Sequence, residues 1–382
     1  MKRGKFVVMS KMKTITINLS IVILIATAAG IWLLQSSDVK ETTGKTAEAL
    51  EAPATAAAIA SSSPVSTVNG QKSFADLLRQ YGSLPLADAH NHDASGGAYN
   101  RMMDTWKRDA MDRVVLFGDV SERSAIATDA TAWNAYVDRP DFFTPYFSGF
   151  DLHDKSSLDV VRTNLEKGYF GLGEIAAAST FSPVVSRVEW KANDPMDGFL
   201  PKIYDICAEY KAPILLHIDP PNGAVIDKLE EALDAHPKTI FIFGHANAFN
   251  SPENVKKLLE KYSNLYADFF AGFTVLDPAS SNKLEDFIPV MKQFPDRFML
   301  SSDSGYGVKS EEAAIEAMYR VMDALNDPNL ARKIAYDNLD AIIRSAPATR
   351  TQKEAILKQD PSRDVSKLSK LEAGLILWGK SK

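Results

Sequence analysis

Cysteine is nearly missing from this chain. Cys207 stands alone among 382 residues, so no internal disulfide and no thiolate-cluster metal site can form. Any metal here must be held by histidine, aspartate and glutamate. Histidine is scarce too, with six in all. No Gly-x-Gly-x-x-Gly follows the first β-rich apolar run, which weighs against dinucleotide binding. Positive charge runs short beyond the start of the chain. Residues 1–40 hold six Lys/Arg against one Asp, so of a net charge of −6 the remaining residues carry −11. A surface that acidic repels a phosphate backbone, and no nucleic-acid partner is expected.

One long stretch lacks charge altogether. Thr14 to Ser37 runs 24 residues without an ionisable side chain, behind Lys2, Arg3, Lys5, Lys11 and Lys13. That is enough to cross a hydrocarbon core of roughly 30 Å. The basic flank before it and Asp38 and Glu41 after it orient the rest of the chain outward. Residues 1–37 therefore read as a membrane anchor or a signal peptide, with Ala26-Thr27-Ala28 as an imperfect cleavage site. With no cysteine nearby, lipoprotein attachment is excluded. The expected location is extracytoplasmic, either periplasmic or at the cell surface, tethered or secreted. Residues 38–70 are rich in Ala, Ser, Thr and Pro and read as a flexible linker, too poor in bulky apolar groups to fold.

From residue 71 to 345 the pattern changes to that of a folded domain. Short apolar runs alternate with longer amphipathic stretches. Strands are predicted at Leu84–His90, Arg113–Asp119, Phe143–Phe150, Tyr169–Ile175, Pro213–Ile218, Thr239–His245, Asn264–Phe269 and Arg297–Asp303. Helices are predicted between them, with start signals at Ser251-Pro252 and Ser310-Glu311-Glu312. Runs such as Ile240-Phe241-Ile242-Phe243 are apolar throughout, as strands covered on both faces must be. Eight strand–helix units within the 242 residues from Leu84 to Leu325 predict a (β/α)8 TIM barrel, with a doubly wound open sheet as the alternative. One more helix, Asn329–Arg344, is expected to close the domain. The tail, 346–382, ends in an apolar stretch, Leu371 to Trp378, that is either a packed helix or a partner-binding segment.

The chemistry collects at the strand ends. Strand 1 ends in Asp88-Ala89-His90-Asn91-His92, whose i, i+2 histidines share one face of an extended chain. Strand 4 ends in Gly173-Glu174-Ile175, strand 5 in His217, strand 6 in Gly244-His245 and strand 8 in Ser302-Asp303. In a barrel these ends meet at one mouth. Four imidazoles and two carboxylates so placed suit Zn, Mn, Fe or Ni. Two outer residues are candidate substrate contacts. His153 follows strand 3, and Arg187 lies in the long loop Ala176–Pro195.

Over residues 84–345, with Lys333-Ile334-Ala335-Tyr336-Asp337-Asn338-Leu339 added to the strand-end motifs, the chain resembles the amidohydrolase superfamily. The nearest subgroups are the amidohydrolase-related group and the TatD-like enzymes, the latter because of Glu174. The resemblance implies a metal-dependent hydrolase acting on an ester, lactone or amide in a small molecule. Its ion would be divalent, with zinc foremost, in one or two copies. His90, His92 and Asp303 would hold the first ion, and Glu174 would bridge to a second held by His217 and His245. In the one-ion version His217 joins the first set and His245 polarises the substrate. Asp303 would relay the proton. Many two-ion members carry a lysine at strand 4, and this chain has none there. Decarboxylation of an aromatic or unsaturated acid, or a catalytically silent tethered binding protein, are the alternatives.

Overall fold

Eight strands, every one hydrogen-bonded to the next and all parallel, form the centre of the molecule in a computed structural model that describes residues 67–68 and 71–379 apart from 221, 222 and 279. They are β1 Ala87–Asn91, β2 Arg113–Leu116, β3 Phe143–Phe147, β4 Gly171–Ala178, β5 Ile214–Ile218, β6 Phe241–Phe243, β7 Leu265–Phe270 and β8 Phe298–Ser301. The pairing follows chain order from β1 to β8, as in a TIM barrel rather than an open doubly wound sheet. Strand interiors are buried on both faces, because helices cover the outside while inward side chains fill the centre.

The ends of the sheet, β1 and β8, share no backbone ladder. A side chain joins them instead. The Asp88 carboxylate accepts from the Ser302 backbone N–H at 2.9 Å and from the Ser302 hydroxyl at 2.5 Å. It also accepts from the His90 N–H at 3.2 Å and from Asn91 Nδ2 at 3.2 Å. Asp88 thus closes the barrel beside the two strands that carry His90, His92 and Asp303.

Helix α1 (Phe74–Tyr81) precedes β1, capped by the Ser73 hydroxyl. The covering helices that follow include α2 Tyr99–Arg108, α3 Ala125–Asp138, α4 Ser157–Lys167, α5 Leu200–Tyr210, α6 Ala224–Ala235, α7 Pro252–Lys261, α8 Leu284–Gln293 and α9 Glu311–Leu325. The start signals act as expected. Ser251 accepts from the Asn254 N–H and Ser310 from the Ala313 N–H. The helix expected at Asn329–Arg344 is wound more loosely at Lys333–Asp337, a π turn, before continuing as α10 (Asn338–Ser345). There Asn338 Nδ2 donates to the Pro295 and Phe298 carbonyls, at 2.8 and 2.7 Å, and moors the helix to the start of β8.

The C-terminal segment folds against the barrel as α11 (Arg350–Gln359) and α12 (Lys370–Trp378). Trp378 packs edge-on against Trp133 and Tyr136 of α3, at ring-centre distances of 5.3 and 5.4 Å. Lys370 is fully buried, and its ammonium donates to the Tyr169 carbonyl at 2.6 Å. No helix among the described residues is long and apolar enough to cross a membrane. The proposed anchor or signal, 1–37, and nearly all of the linker lie outside the described residues.

Candidate metal centre

Alternation along β1 turns Asp88, His90 and His92 inward, so both imidazoles reach the barrel axis. His90 Nδ1 lies 2.8 Å from Asp268 Oδ2, and His92 Nδ1 lies 2.8 Å from the Gly118 carbonyl. A carboxylate and a carbonyl can only accept, so each Nδ1 carries the proton. Each Nε2 is then the atom left to hold either a second proton or a metal ion. Those two Nε2 atoms face each other at 3.0 Å. Asp303 Oδ1 lies 3.5 Å from the first and 3.4 Å from the second. At that distance the two nitrogens share either one proton or one cation.

A second group sits across Glu174. Its Oε1 is 2.9 Å from His217 Nδ1 and 3.0 Å from His245 Nε2, and these two nitrogens are 3.0 Å apart. Glu174 also approaches the first group, 3.8 Å from His90 Nε2 and 3.7 Å from His92 Nε2. Two triplets result, His90–His92–Asp303 and Glu174–His217–His245, each with one donor atom per residue and all three within 4.8 Å of one another. Nitrogen and carboxylate donors in threes, with no thiolate, are a donor set for a divalent transition ion. One carboxylate shared between the triplets fits a pair of ions.

The electrostatics show what the site attracts, a proton or a metal ion in its place. Burial alone would depress the His90 pKa, but the carboxylates of Asp303, Asp268 and Glu174 outweigh it and lift the value to about 10. Burial likewise opposes charge on His217, and Glu174 and Asp219 raise it to about 9. Burial would push Glu174 and Asp303 up, yet the surrounding imidazoles hold both carboxyls below their ordinary range. The centre is a buried negative field that gathers cations.

All six residues of the strand-end set therefore meet at one mouth. Glu174 differs in its setting. It sits inside β4 rather than at the end, because the strand runs on through Ala176-Ala177-Ala178. The two candidate substrate contacts do not join the centre. His153 is exposed and lies 3.2 Å from Asp197, and Arg187 is exposed on a short 3-10 turn. Neither lines the cavity above the histidines. Both point outward because the chain after β3 and the returning arm of the loop run over the surface.

Two carboxylates in the second layer carry no role in the sequence reading. Asp268 Oδ2 accepts from His90 Nδ1 and from the His245 backbone N–H at 2.9 Å, linking the two triplets. Its signal is an aspartate inside the otherwise apolar Leu265–Phe270 strand, where a charge is costly unless it is used. Asp219 follows His217 by two residues, and its Oδ2 lies 3.4 Å from His217 Nε2. The same carboxylate accepts from the backbone N–H groups of Thr180, Phe181 and Ser182, at 2.6, 3.1 and 2.8 Å, and from the Ser179 hydroxyl. Asp219 therefore orients a candidate ligand and fastens the loop that roofs it. Carboxylate–histidine pairs of this kind fix the tautomer and orientation of metal-binding imidazoles.

Above the centre a cavity of about 310 Å³ opens to solvent. His92, Glu174, His217, His245 and Asp303 form its floor. Its wall comes from the loop after β4, through Val184, Val185 and Val188, and from Val120 after β2. Val120, Val185 and Val188 pack with Ala176 into a small apolar cluster of their own. The loop returns through the Trp190 N–H on the Ser121 carbonyl and the Ala192 N–H on the Ala176 carbonyl, at 3.0 and 2.8 Å.

No family model matches this chain, and no curated protein matches it by sequence. Solved structures do show similarity. An uncharacterized TIM-barrel protein, Bb4693 of Bordetella bronchiseptica, shares 13% identity over 68% of this chain and 98% of its own, with a TM-score of 0.49. A TatD-family hydrolase from Entamoeba histolytica shares 10% over 67% and 97%, with a TM-score of 0.48. A 2,6-dihydroxybenzoate decarboxylase from Rhizobium shares 11% over 68% and 98%, with a TM-score of 0.45. At that distance the likenesses assign no chemistry to this chain.

Proposed function

We propose that the protein is a metal-dependent hydrolase of the amidohydrolase type, cleaving an ester, lactone or amide in a small molecule. One observation carries this reading. Two imidazoles held through Nδ1 by Asp268 and Gly118 aim their Nε2 atoms at each other, 3.0 Å apart, beside Asp303 and beneath an open cavity. Zinc is the ion we expect, and the division into two triplets favours two ions over one. Bound there, the ions supply Lewis acidity toward a water and a carbonyl oxygen.

The chain's own residues do the rest. Asp303 is ionised, sits at the cavity floor, and can accept a proton from an incoming water and return it to the leaving group. Asp268 and Asp219 hold His90 and His217 so that the donor atoms need no rearrangement. The valine wall excludes bulk water from one side of the reacting bond. We also propose that residues 1–37 place the barrel outside the cytoplasm, tethered or secreted, which fractionation of cells carrying the full chain will check.

The test is metal analysis of the purified protein alongside His90→Ala/His92→Ala, followed by turnover on an ester and lactone panel. The expected result is bound divalent ion and turnover in the unmodified protein, with both lost in the double variant. Asp303→Asn should retain its ion and lose turnover. An unmodified protein that binds no divalent ion refutes the reading. Release of carbon dioxide from an unsaturated acid without water uptake would replace hydrolysis with decarboxylation.

A further inference from the structure

The walls of the cavity are chemically one-sided. Among the described residues no lysine or arginine lines it. On the loop after β4, Lys191 donates to the Ser179 carbonyl, and Arg187 is exposed and outside the lining. Away from the floor, the lining carboxylates are Asp119 and Glu122, on the β2 side. Val184, Val185 and Val188 line the cavity from the loop after β4. Two apolar lining residues reach outward, Val184 and Tyr306, which are 58% and 53% exposed. Isolated exposed apolar residues mean little, but these two belong to the lining of one cavity.

From this we infer that the site is specific for substrates whose group beyond the scissile bond is uncharged and apolar, and that it turns away a second carboxylate or a phosphate there. The inference rests on the hydrolase reading and concerns only the part of the substrate that lies against the valine wall. A tail carboxylate entering there would shed water with no cationic partner, in a cavity that already holds Asp119 and Glu122. Loss of an unpaired polar group's hydration costs enough to weaken binding by about 100-fold. An alkyl tail gains about fourfold per buried methylene. The cavity's size limits the gain to a short chain or a single ring.

The experiment compares two chelating probes on the metal-loaded full chain by calorimetry. Hexanohydroxamic acid and the monohydroxamic acid of adipic acid present the same chelating end, so any attraction between the ions and that end cancels. Their tails differ only in the terminal carboxylate. The neutral probe is expected to bind at least 30-fold more tightly. Val184→Lys, at a position open enough to accept the longer side chain, should narrow that ratio at least tenfold. Equal binding of the two probes, or tighter binding of the acid, overturns the inference. So does a ratio that Val184→Lys leaves unmoved. Turnover of the ester panel is measured in parallel, so that the two readings fail separately. Turnover without the tail preference refutes this inference alone. A tail preference without turnover refutes hydrolysis alone. Binding of neither probe overturns this inference, and refutes hydrolysis as well only when turnover is absent too.

Discussion

Replacing Asp219 with asparagine should loosen the roof of the site and weaken one ion-binding triplet at once. The carboxylate accepts from three consecutive backbone N–H groups, from the Ser179 hydroxyl, and faces His217 Nε2. Burial would raise its pKa, but these donors hold it well below the ordinary carboxylate value, so it is charged throughout the physiological range. An asparagine keeps one acceptor oxygen and turns a donor toward the rest. Hydrogen bonds to a charged group contribute about 1.5–3 kcal/mol each. Losing one such bond and the charge behind the others removes roughly 2–4 kcal/mol of local stability from the loop. Converted at 1.36 kcal/mol per decade, amide exchange at Thr180, Phe181 and Ser182 should accelerate by about 30- to 900-fold. Because Asp219 also orients His217, ion affinity at the Glu174–His217–His245 triplet should fall by roughly 10- to 100-fold, while His90–His92–Asp303 keeps its own. The assays are hydrogen exchange over peptides covering 179–190 and a chelator competition titration. Unchanged exchange in that segment, or equal loss at both triplets, would refute the reasoning.

Three further outcomes follow from the structure. Asp268→Asn should cost roughly 10- to 100-fold in affinity at both triplets, since one oxygen braces His90 and the His245 backbone, and the same titration reads it. Burial drives the Lys370 ammonium down to about 7 from an ordinary 10.5. Between those values the unfolded chain holds a proton that the folded one does not, so stability should rise with pH across this window, by up to about 1.4 kcal/mol per unit. Lys370→Met should abolish that slope and add roughly 2–4 kcal/mol at pH 7, once the Tyr169 carbonyl's lost donor is set against about 5 kcal/mol for the buried charge, as urea midpoints from pH 6 to 10 will show. Gly374→Ala should lower the melting temperature and shift tryptophan emission to the red. A β-carbon there would stand 1.7 Å from the Tyr136 hydroxyl, and the strain, about 1–3 kcal/mol, would lift α12 and Trp378 off α3.

The barrel was legible because parallel strands buried on both faces leave continuous apolar runs, as at Ile214-Leu215-Leu216, and because helix starts such as Ser251-Pro252 are local chemistry. The cluster of four histidines and two carboxylates was legible for a different reason. The same kind of residue recurred at the same place in five repeats, and a barrel brings those places together. What stayed hidden depends on direction and on long-range pairing. Asp268 sits within its strand, not at the end, and its value appears only when His90, 178 residues earlier, is placed beside it. Strand β4 outran its expected end because three alanines have little strand preference of their own and extend only by pairing with β5. His153 and Arg187 lay in plausible loops, but which way a loop side chain faces is set by its packing and not by its position in the chain.

The Asp88–Ser302 bond that closes the barrel has a consequence for how the protein is made. His90 and His92 leave the ribosome early, but their third partner, Asp303, follows 213 residues behind His90. Until β8 arrives there is no seam to close and no complete triplet, so a growing chain offers an ion two loose imidazoles and little more. Long separation between partners also makes the closing step slow relative to local helix formation. A chain threaded unfolded across a membrane would pass through any cytoplasmic metal pool before it could retain an ion, and would choose its metal on the far side. If residues 1–37 export the chain as proposed, the seam would make the ion's identity a property of the compartment where folding ends.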